Sequence, residues 1–244
     1  MKRKNIRRAA AAAALLLAAA VLACAIYVNT YYHSDAEAES RLLGTEEVSV
    51  TQLKQGIFLD GSGEECAMIF YPGAKVEYTA YLPMLTELAG QGIDCFLMKM
   101  PCNLAFLGSN RADEILETYE YDDWYIGGHS LGGAMAASYA SAHLEQLRGL
   151  ALFAAYPTSS LAAEDFSVVS VYGSEDQVLN MTKVEQGRQW MPEKYMEVCI
   201  EGGNHAQFGN YGAQKGDGEP LISAQEQQKQ AVEAVLEMIK NGRE

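Results

Sequence analysis

The sequence predicts an α/β protein built on a mostly parallel, doubly wound sheet. Two observations support this class. Short apolar runs of strand length alternate with longer segments of helical periodicity, and one apolar run meets an alanine-rich segment across a glycine-bearing turn. The length of 244 residues and the 49% hydrophobic content are enough for one sizeable core. Disordered and fibrous chains are therefore excluded.

The N-terminal segment predicts export. Five basic residues among the first eight precede the run Ala9–Val28, whose twenty uncharged and mostly apolar positions approach the length of a membrane-spanning helix. By the positive-inside rule, the basic end stays in the cytoplasm and residues from about His33 onward lie outside. We expect an uncleaved membrane anchor. The alternatives are secretion after cleavage behind Ala25, which ends an A-x-A sequence, and lipid modification at Cys24.

Three regions follow from composition. Residues 1–32 form the basic cluster and the anchor or signal segment, residues 33–47 form a polar, acidic linker, and residues 48–244 form the folded domain. The net charge is −14, and the residues after the first eight carry 13 basic against 32 acidic side chains. Such a surface repels phosphate backbones, so nucleic acid is not expected as a partner. The five cysteines form no C-x-x-C pair, and no metal site is predicted.

The elements of the folded domain are predicted in order. It opens with two short strands, Val48–Leu53 and Gly56–Asp60, as an antiparallel lead-in. Six apolar runs then predict parallel strands at Cys66–Tyr71, Ile93–Met98, Trp124–Gly127, Leu150–Ala154, Val168–Tyr172 and Tyr195–Ile200. Helical patterns lie at Tyr81–Ala89, Ala112–Tyr119, Leu131–Leu147, Met181–Trp190 and Ala224–Asn241.

The segment Gly128–Gly132 matches G-x-S-x-G in the strand, turn and helix setting that a nucleophile requires. Glycines next to Ser130 let the backbone double back and let the following helix lie close to the strand. Ser130 is therefore the candidate nucleophile. The alternative is a glycine-rich turn whose serine only caps the helix.

A serine hydroxyl needs a base, and the base needs an oriented acceptor. Of the four histidines, His205 follows a predicted strand in a glycine-bearing loop, where ligand sites of open α/β sheets gather. Asp176 follows the preceding strand and is the candidate acid. The neighbouring Glu175 is the alternative, and we expect it to face water because Asp176 precedes the apolar Val178.

An oxyanion intermediate requires two backbone N–H donors. The first is expected at Leu131, directly after the nucleophile. The second should come from the loop after the strand Cys66–Tyr71, where Ala74 is the first choice and Gly73 the next.

At this point the chain resembles the α/β-hydrolase superfamily over roughly residues 48–241. The resemblance rests on the elbow Gly128–Gly132, on Asp176 and His205 in that chain order, and on Pro72-Gly73 where many members have His-Gly. It implies the α/β-hydrolase fold.

Many members insert a lid or cap where this chain has only the short segment Tyr156–Ser167. The protein therefore resembles compact, lidless members such as dienelactone hydrolase-like enzymes, which commonly use a cysteine where this chain has Ser130.

The resemblance implies a serine hydrolase that cleaves a carboxylic ester, thioester or amide through an acyl-enzyme on Ser130, with no metal or organic cofactor. The expected partners are a small-molecule or lipid-like acyl substrate and, through the N-terminal helix, a membrane. An acyltransferase with the same triad and a non-catalytic extracellular binding protein on the same fold are the alternatives. Aromatic residues at the predicted catalytic edge are candidate pocket residues: Tyr71, Phe106, Tyr156, Phe208 and Tyr211.

Overall fold

A computed structural model describes the backbone of residues 2–243 and the side chains of residues 11–243. The chain divides into two units, the first ending at Tyr31 and the second beginning at Tyr32. The first unit consists of helix α1 (Lys2–Asn29). Its segment Ala11–Asn29 is, among the described helices, the one long and apolar enough to cross a membrane. Length and composition alone give this result, and a signal sequence has the same properties.

The second unit contains one eight-stranded sheet. The strands are β1 (Ser49–Leu53), β2 (Gly56–Asp60), β3 (Cys66–Tyr71), β4 (Asp94–Met98), β5 (Asp123–His129), β6 (Gly149–Phe153), β7 (Ser167–Gly173) and β8 (Lys194–Ile200). Their spatial order is β1-β2-β4-β3-β5-β6-β7-β8. The first two strands are antiparallel to each other, β2 is antiparallel to β4, and all other neighbours are parallel. The predicted mostly parallel sheet is confirmed.

Helices cover both faces of the sheet, so its central strands are buried on both sides and read as continuous apolar runs. The helices are α2 (Ala36–Ser40), α3 (Leu82–Gly90), α4 (Ala112–Leu116), α5 (Leu131–Ala142), α6 (Met181–Gly187) and α7 (Ala224–Arg243). Side chains of β3 alternate between the two faces. Met68 and Phe70 join a core cluster with α3 and α7, while Ile69 and Tyr71 join a second cluster with α4 and α5.

Two predicted helices end earlier in the structure. The helix expected to reach Leu147 stops at Ala142, because the backbone of His143 leaves helical geometry at φ −135°. Leu147 is still buried, but it packs from the turn that follows the helix. Helix α4 similarly ends before Tyr119, which packs on the core from the turn after the helix. Apolar spacing continued past the helix ends in both cases and made the predicted helices too long.

The predicted linker 33–47 is part of the compact second unit. Asp35 caps α2 by accepting the N–H of Ala38 at 2.9 Å, and Ala38 is fully buried. The backbone of Tyr32 forms a parallel bridge to Val76. A single buried alanine leaves no apolar periodicity in the sequence, and the acidic residues that suggested solvent exposure act in part as helix caps.

The connection between β6 and β7, residues 154–166, is fully described and contains no helix or strand. Leu161 and Phe166 bury their side chains, and the Leu161 N–H donates to the carbonyl of Trp190 at 2.8 Å. The absence of a cap domain at this connection agrees with the predicted compact architecture.

Candidate active site

Ser130 lies at a sharp turn between β5 and α5. Its backbone has φ 53° and ψ −121°, which non-glycine residues rarely adopt. The turn requires close backbone approaches on both sides of the serine. A Cβ on Gly128 would lie 2.7 Å from the carbonyl oxygen of Tyr71, and one on Gly132 would overlap the same oxygen. The glycines of the motif are therefore steric requirements of the elbow.

His205 and Asp176 form a buried hydrogen-bonded pair. They follow β8 and β7, two neighbouring parallel strands, so both reach the carboxyl edge of the sheet. His205 Nδ1 lies 2.8 Å from Asp176 Oδ2, and the side chains are 2% and 1% exposed. The second carboxylate oxygen accepts the backbone N–H groups of Val178 and Leu179, each at 2.8 Å. These contacts fix the carboxylate, and the proton on the ring faces it because an ionised carboxylate only accepts.

The other ring nitrogen of His205 is free to act. Nε2 is buried and has no hydrogen-bond partner within residues 11–243. His205 and Ser130 line the same cavity of about 250 Å³. The remaining lining residues are mostly apolar: Leu131, Ala134, Ala154, Ala155, Tyr156, Val178, Leu179 and Asn180.

A polar network missed by the sequence analysis holds the histidine loop. Asp217 accepts the backbone N–H of His205 at 3.2 Å and that of Ala206 at 2.8 Å. Gln227 on α7 is fully buried and exchanges two hydrogen bonds with the backbone of Asn204, at 2.9 and 2.7 Å. These groups fix His205 from behind. The sequence does show Asp217 at the end of the glycine-rich stretch 202–218, but no pattern in it indicates that Asp217 bonds to the loop of His205.

The structure separates the two candidates for the second oxyanion donor. The Gly73 N–H donates to the hydroxyl of Tyr81 at 3.0 Å, so it is not available to a substrate, which corrects the choice of Gly73. No such bond is found for the N–H of Ala74 within the described residues. Leu131 is the first residue of α5, and N–H groups in the first turn have no partner inside the helix. Ala74 and Leu131 therefore remain the candidates for the donor pair.

Of the five aromatic candidates, Tyr156 lines the cavity with Ser130 and His205, and the other four lie elsewhere. The hydroxyl of Tyr71 donates to the Ser109 carbonyl and accepts the N–H of Ala112. It does so because side chains alternate along β3, which turns Tyr71 toward the face covered by α4 and α5. Phe106 is exposed. Phe208 packs in the core against Phe153, and Tyr211 packs against Tyr32.

Acyl transfer to oxygen or nitrogen requires a nucleophile, a base, an oriented acid and two backbone donors, and the candidate residues supply groups of each kind. Among residues 2–243, no group of three or more His, Cys, Asp or Glu side chains could hold a metal ion.

Solved structures with similar folds include a bacterial membrane phospholipase A (13% identity, TM-score 0.61, covering 100% of this chain and 99% of that chain). A predicted CIB-like hydrolase from Thermoplasma acidophilum (11%, 0.59, 80% and 99%) and a bacterial heroin esterase (14%, 0.56, 85% and 89%) are also similar. Identities this low show the fold alone.

No curated protein matches the chain. The model of the alpha/beta hydrolase family matches residues 67–229, which include the turn at Ser130 and the loop that carries His205. With two thirds of its length matched to that model, the chain belongs to the alpha/beta hydrolase family.

Proposed function

We propose that the protein is a serine hydrolase that cleaves a carboxylic ester, thioester or amide through an acyl-enzyme on Ser130. The observation that carries the proposal is the buried His205–Asp176 pair, whose unpartnered Nε2 shares a cavity with Ser130. The fold neighbours named as an esterase and a phospholipase act on the same class of bond, which supports an ester as the substrate.

In the first half-reaction, His205 Nε2 removes the proton from the Ser130 hydroxyl as Oγ bonds to the substrate carbonyl carbon. The carbonyl oxygen becomes an oxyanion that accepts the N–H groups of Leu131 and Ala74. Asp176 accepts the Nδ1–H and stabilises the imidazolium. The bond to the leaving group breaks as His205 returns the proton to it.

In the second half-reaction, water takes the place of the leaving group. His205 removes a proton from the water as its oxygen attacks the acyl carbon, and the acid is released when Ser130 Oγ recovers the proton. The cavity of about 250 Å³ is small for a ligand pocket, and no Asp, Glu, Lys or Arg side chain is among its lining residues. A short, uncharged acyl group suits it.

We also propose that α1 anchors the protein with the catalytic domain outside the cytoplasm, because the basic residues of α1 precede its apolar part. Secretion after cleavage behind Ala25 is the alternative. The similarity in fold to a membrane phospholipase A supports a membrane setting.

A fluorophosphonate probe tests the nucleophile. Intact protein is expected to be labelled at Ser130, and Ser130→Ala to lose both labelling and at least about 10³-fold in ester turnover. Ser141→Ala is the matched control, because Ser141 lies half-buried near the far end of the same helix, where its hydroxyl donates to the Ser138 carbonyl. Labelling at another serine, or full turnover by Ser130→Ala, would contradict the proposal.

A further inference from the structure

A buried tyrosine and a buried histidine connect the two parts of the site that must stabilise the oxyanion. We propose that Tyr81 and His129 act as a positioning pair, which holds the oxyanion loop, residues 72–75, against the nucleophile elbow and so directs the Ala74 N–H toward the reacting carbonyl. The inference rests on the proposed hydrolysis. Neither residue touches the substrate in this proposal.

The contacts run from loop to elbow through a single hydroxyl. Tyr81 Oη lies 3.0 Å from the backbone nitrogen of Gly73 and 2.8 Å from His129 Nδ1. Tyr81 is fully buried and His129 is 1% exposed, so water does not compete for these bonds. His129 directly precedes Ser130, and Gly73 directly precedes Ala74. The pair therefore joins the residue before the nucleophile to the residue before the donor.

One hydrogen-bond direction follows from the donor inventory. The Gly73 N–H can only donate, so the Tyr81 oxygen accepts it. Burial keeps the pKa of His129 well below its ordinary value, and the nearby His205 lowers it further, which favours the neutral ring. In the tautomer with its proton on Nε2, His129 Nδ1 accepts the Tyr81 hydroxyl proton, and the Nε2 proton has no partner within residues 11–243. In the other tautomer, Nδ1–H donates to the Tyr81 oxygen, and the contact between loop and elbow is kept.

The packing leaves the loop little freedom to move. A Cβ on Gly73 would lie 2.8 Å from both Tyr81 Oη and His129 Nδ1, so the glycine is in close contact with the pair. The His129 ring also packs against Phe208, with centroids 5.7 Å apart, and against His205, at 4.6 Å. On its far side, the loop is held by a backbone bond to Asn103, whose carbonyl accepts the Lys75 N–H at 2.8 Å.

Loss of the Tyr81 hydroxyl should therefore misdirect one oxyanion donor without removing it. Deleting a complete oxyanion donor costs about 10²–10³ in kcat. We expect Tyr81→Phe to lower kcat by about 10-fold to 100-fold and to change KM by less than about threefold, because the donor acts mainly on the transition state.

The experiment measures kcat, KM and the inhibition constant of a trifluoromethyl ketone with p-nitrophenyl acetate as substrate. The ketone forms an oxyanion adduct with the nucleophile, so its affinity should fall in parallel with kcat/KM in Tyr81→Phe. Tyr121→Phe is the matched control. It removes a tyrosine hydroxyl that bonds Asp94 Oδ2, at the start of β4, and should leave all three constants unchanged.

His129→Asn provides a second, independent variant, and thermal unfolding confirms that each variant is folded. The double variant Tyr81→Phe/His129→Asn should be within about threefold of the more affected single variant, because the two residues act as one unit. Full additivity, an effect on KM alone, or unchanged ketone affinity would overturn the proposal. If Ser130→Ala retains activity, the proposed hydrolysis itself is wrong. If Ser130→Ala is inactive while Tyr81→Phe matches Tyr121→Phe, only the positioning pair is wrong.

Discussion

Asp176 and Glu175 are adjacent acids after β7, and their partners differ. The carboxylate of Asp176 meets the imidazole of His205, whereas Glu175 accepts a hydrogen bond from the neighbouring hydroxyl of Ser174 at 3.0 Å. Asp176→Asn should lower ester turnover by about 10³–10⁴, because the amide stabilises the wrong histidine tautomer. Glu175→Gln should change it by less than about tenfold. Steady-state hydrolysis by both folded variants measures the difference, and the reverse ranking would reassign the acid.

The buried His129 predicts a pH dependence of stability. Its pKa is well below the ordinary value in the folded protein, so only the unfolded chain takes up this proton as the pH falls below about 6.5. The contribution of the neutral His129 to the free energy of unfolding is complete above that pH. It is lost as the pH falls toward the pKa of His129 in the folded state. The slope amounts to at most about 1.4 kcal/mol per pH unit.

Denaturant unfolding between pH 5 and 7 checks this dependence. His129→Gln should make the stability profile shallower, and His143→Gln, on the half-buried histidine after α5, should not. Equal slopes in all three proteins would mean that another group causes the acid sensitivity.

The sequence was sufficient to predict Ser130, Asp176 and His205 as a group because each follows an apolar strand and the parallel strands end at one edge. Tyr81, His129 and Asp217 were out of reach for a different reason. Their roles depend on which loop backbones they contact, and such contacts form between residues 8 to 48 positions apart without any local pattern.

The segment that follows α1 is hydrogen-bonded to the oxyanion loop. The Tyr32 N–H donates to the Lys75 carbonyl at 2.7 Å, and the Glu77 N–H donates to the Tyr32 carbonyl at 2.8 Å. A protein that begins at Tyr32 should be folded and active. One that begins at Val48 loses both bonds and the buried Ala38, and it should lose about 2–3 kcal/mol of stability and part of its kcat.

Thermal unfolding and ester hydrolysis of the two truncated proteins test this prediction. Equal melting temperatures and equal kcat would show that residues 32–47 are a linker after all.

A charged cluster on β8 predicts a second pH effect. The Glu197 carboxylate accepts hydrogen bonds from two guanidinium nitrogens of Arg188, Nε at 2.8 Å and Nη2 at 2.6 Å. It also accepts the hydroxyls of Tyr172 and Tyr195. These bonds lower the pKa of Glu197 to about 2. Its contribution to stability is therefore present above about pH 4.5, the ordinary value, and is lost as the pH falls through about 2.

Glu197→Gln should lower the melting temperature by a few degrees at pH 7, and the difference should disappear near pH 2. Glu193→Gln, at an exposed position just before β8, is the control and should have little effect. A difference that persists unchanged at pH 2 would show that packing, not charge, stabilises this corner.

Strands were predicted more accurately than helix ends, for a physical reason. A strand buried on both faces needs apolar side chains at every position, so its bounds are visible in composition. Helix ends depend on where the backbone leaves helical geometry, as at His143, while buried side chains such as Leu147 continue beyond that point.

For the whole molecule, the distribution of charge in α1 predicts its topology. Alkaline phosphatase fused after Glu244 should be active and β-galactosidase at the same site inactive, because the basic N-terminus keeps the opposite end of the chain outside. Replacing the five basic residues before Ala9 with neutral ones should weaken this orientation. Activity of the β-galactosidase fusion alone would place the catalytic domain in the cytoplasm. N-terminal sequencing of the mature protein separates the anchor from cleavage behind Ala25.

The bridge between Tyr32 and Val76 limits where the N-terminal segment can be cut without loss of contacts to the oxyanion loop. A cut behind Ala25 leaves six residues ahead of Tyr32, so the shed form would keep every backbone bond that braces the oxyanion loop. The form cut behind Ala25 and the uncut, membrane-anchored form would then have the same turnover, one free of the membrane and the other attached to it. A protease that cuts a few residues later, within 33–47, would instead release a slower enzyme. The position of the cut relative to Tyr32 therefore determines whether proteolysis only releases the enzyme from the membrane or also lowers its turnover.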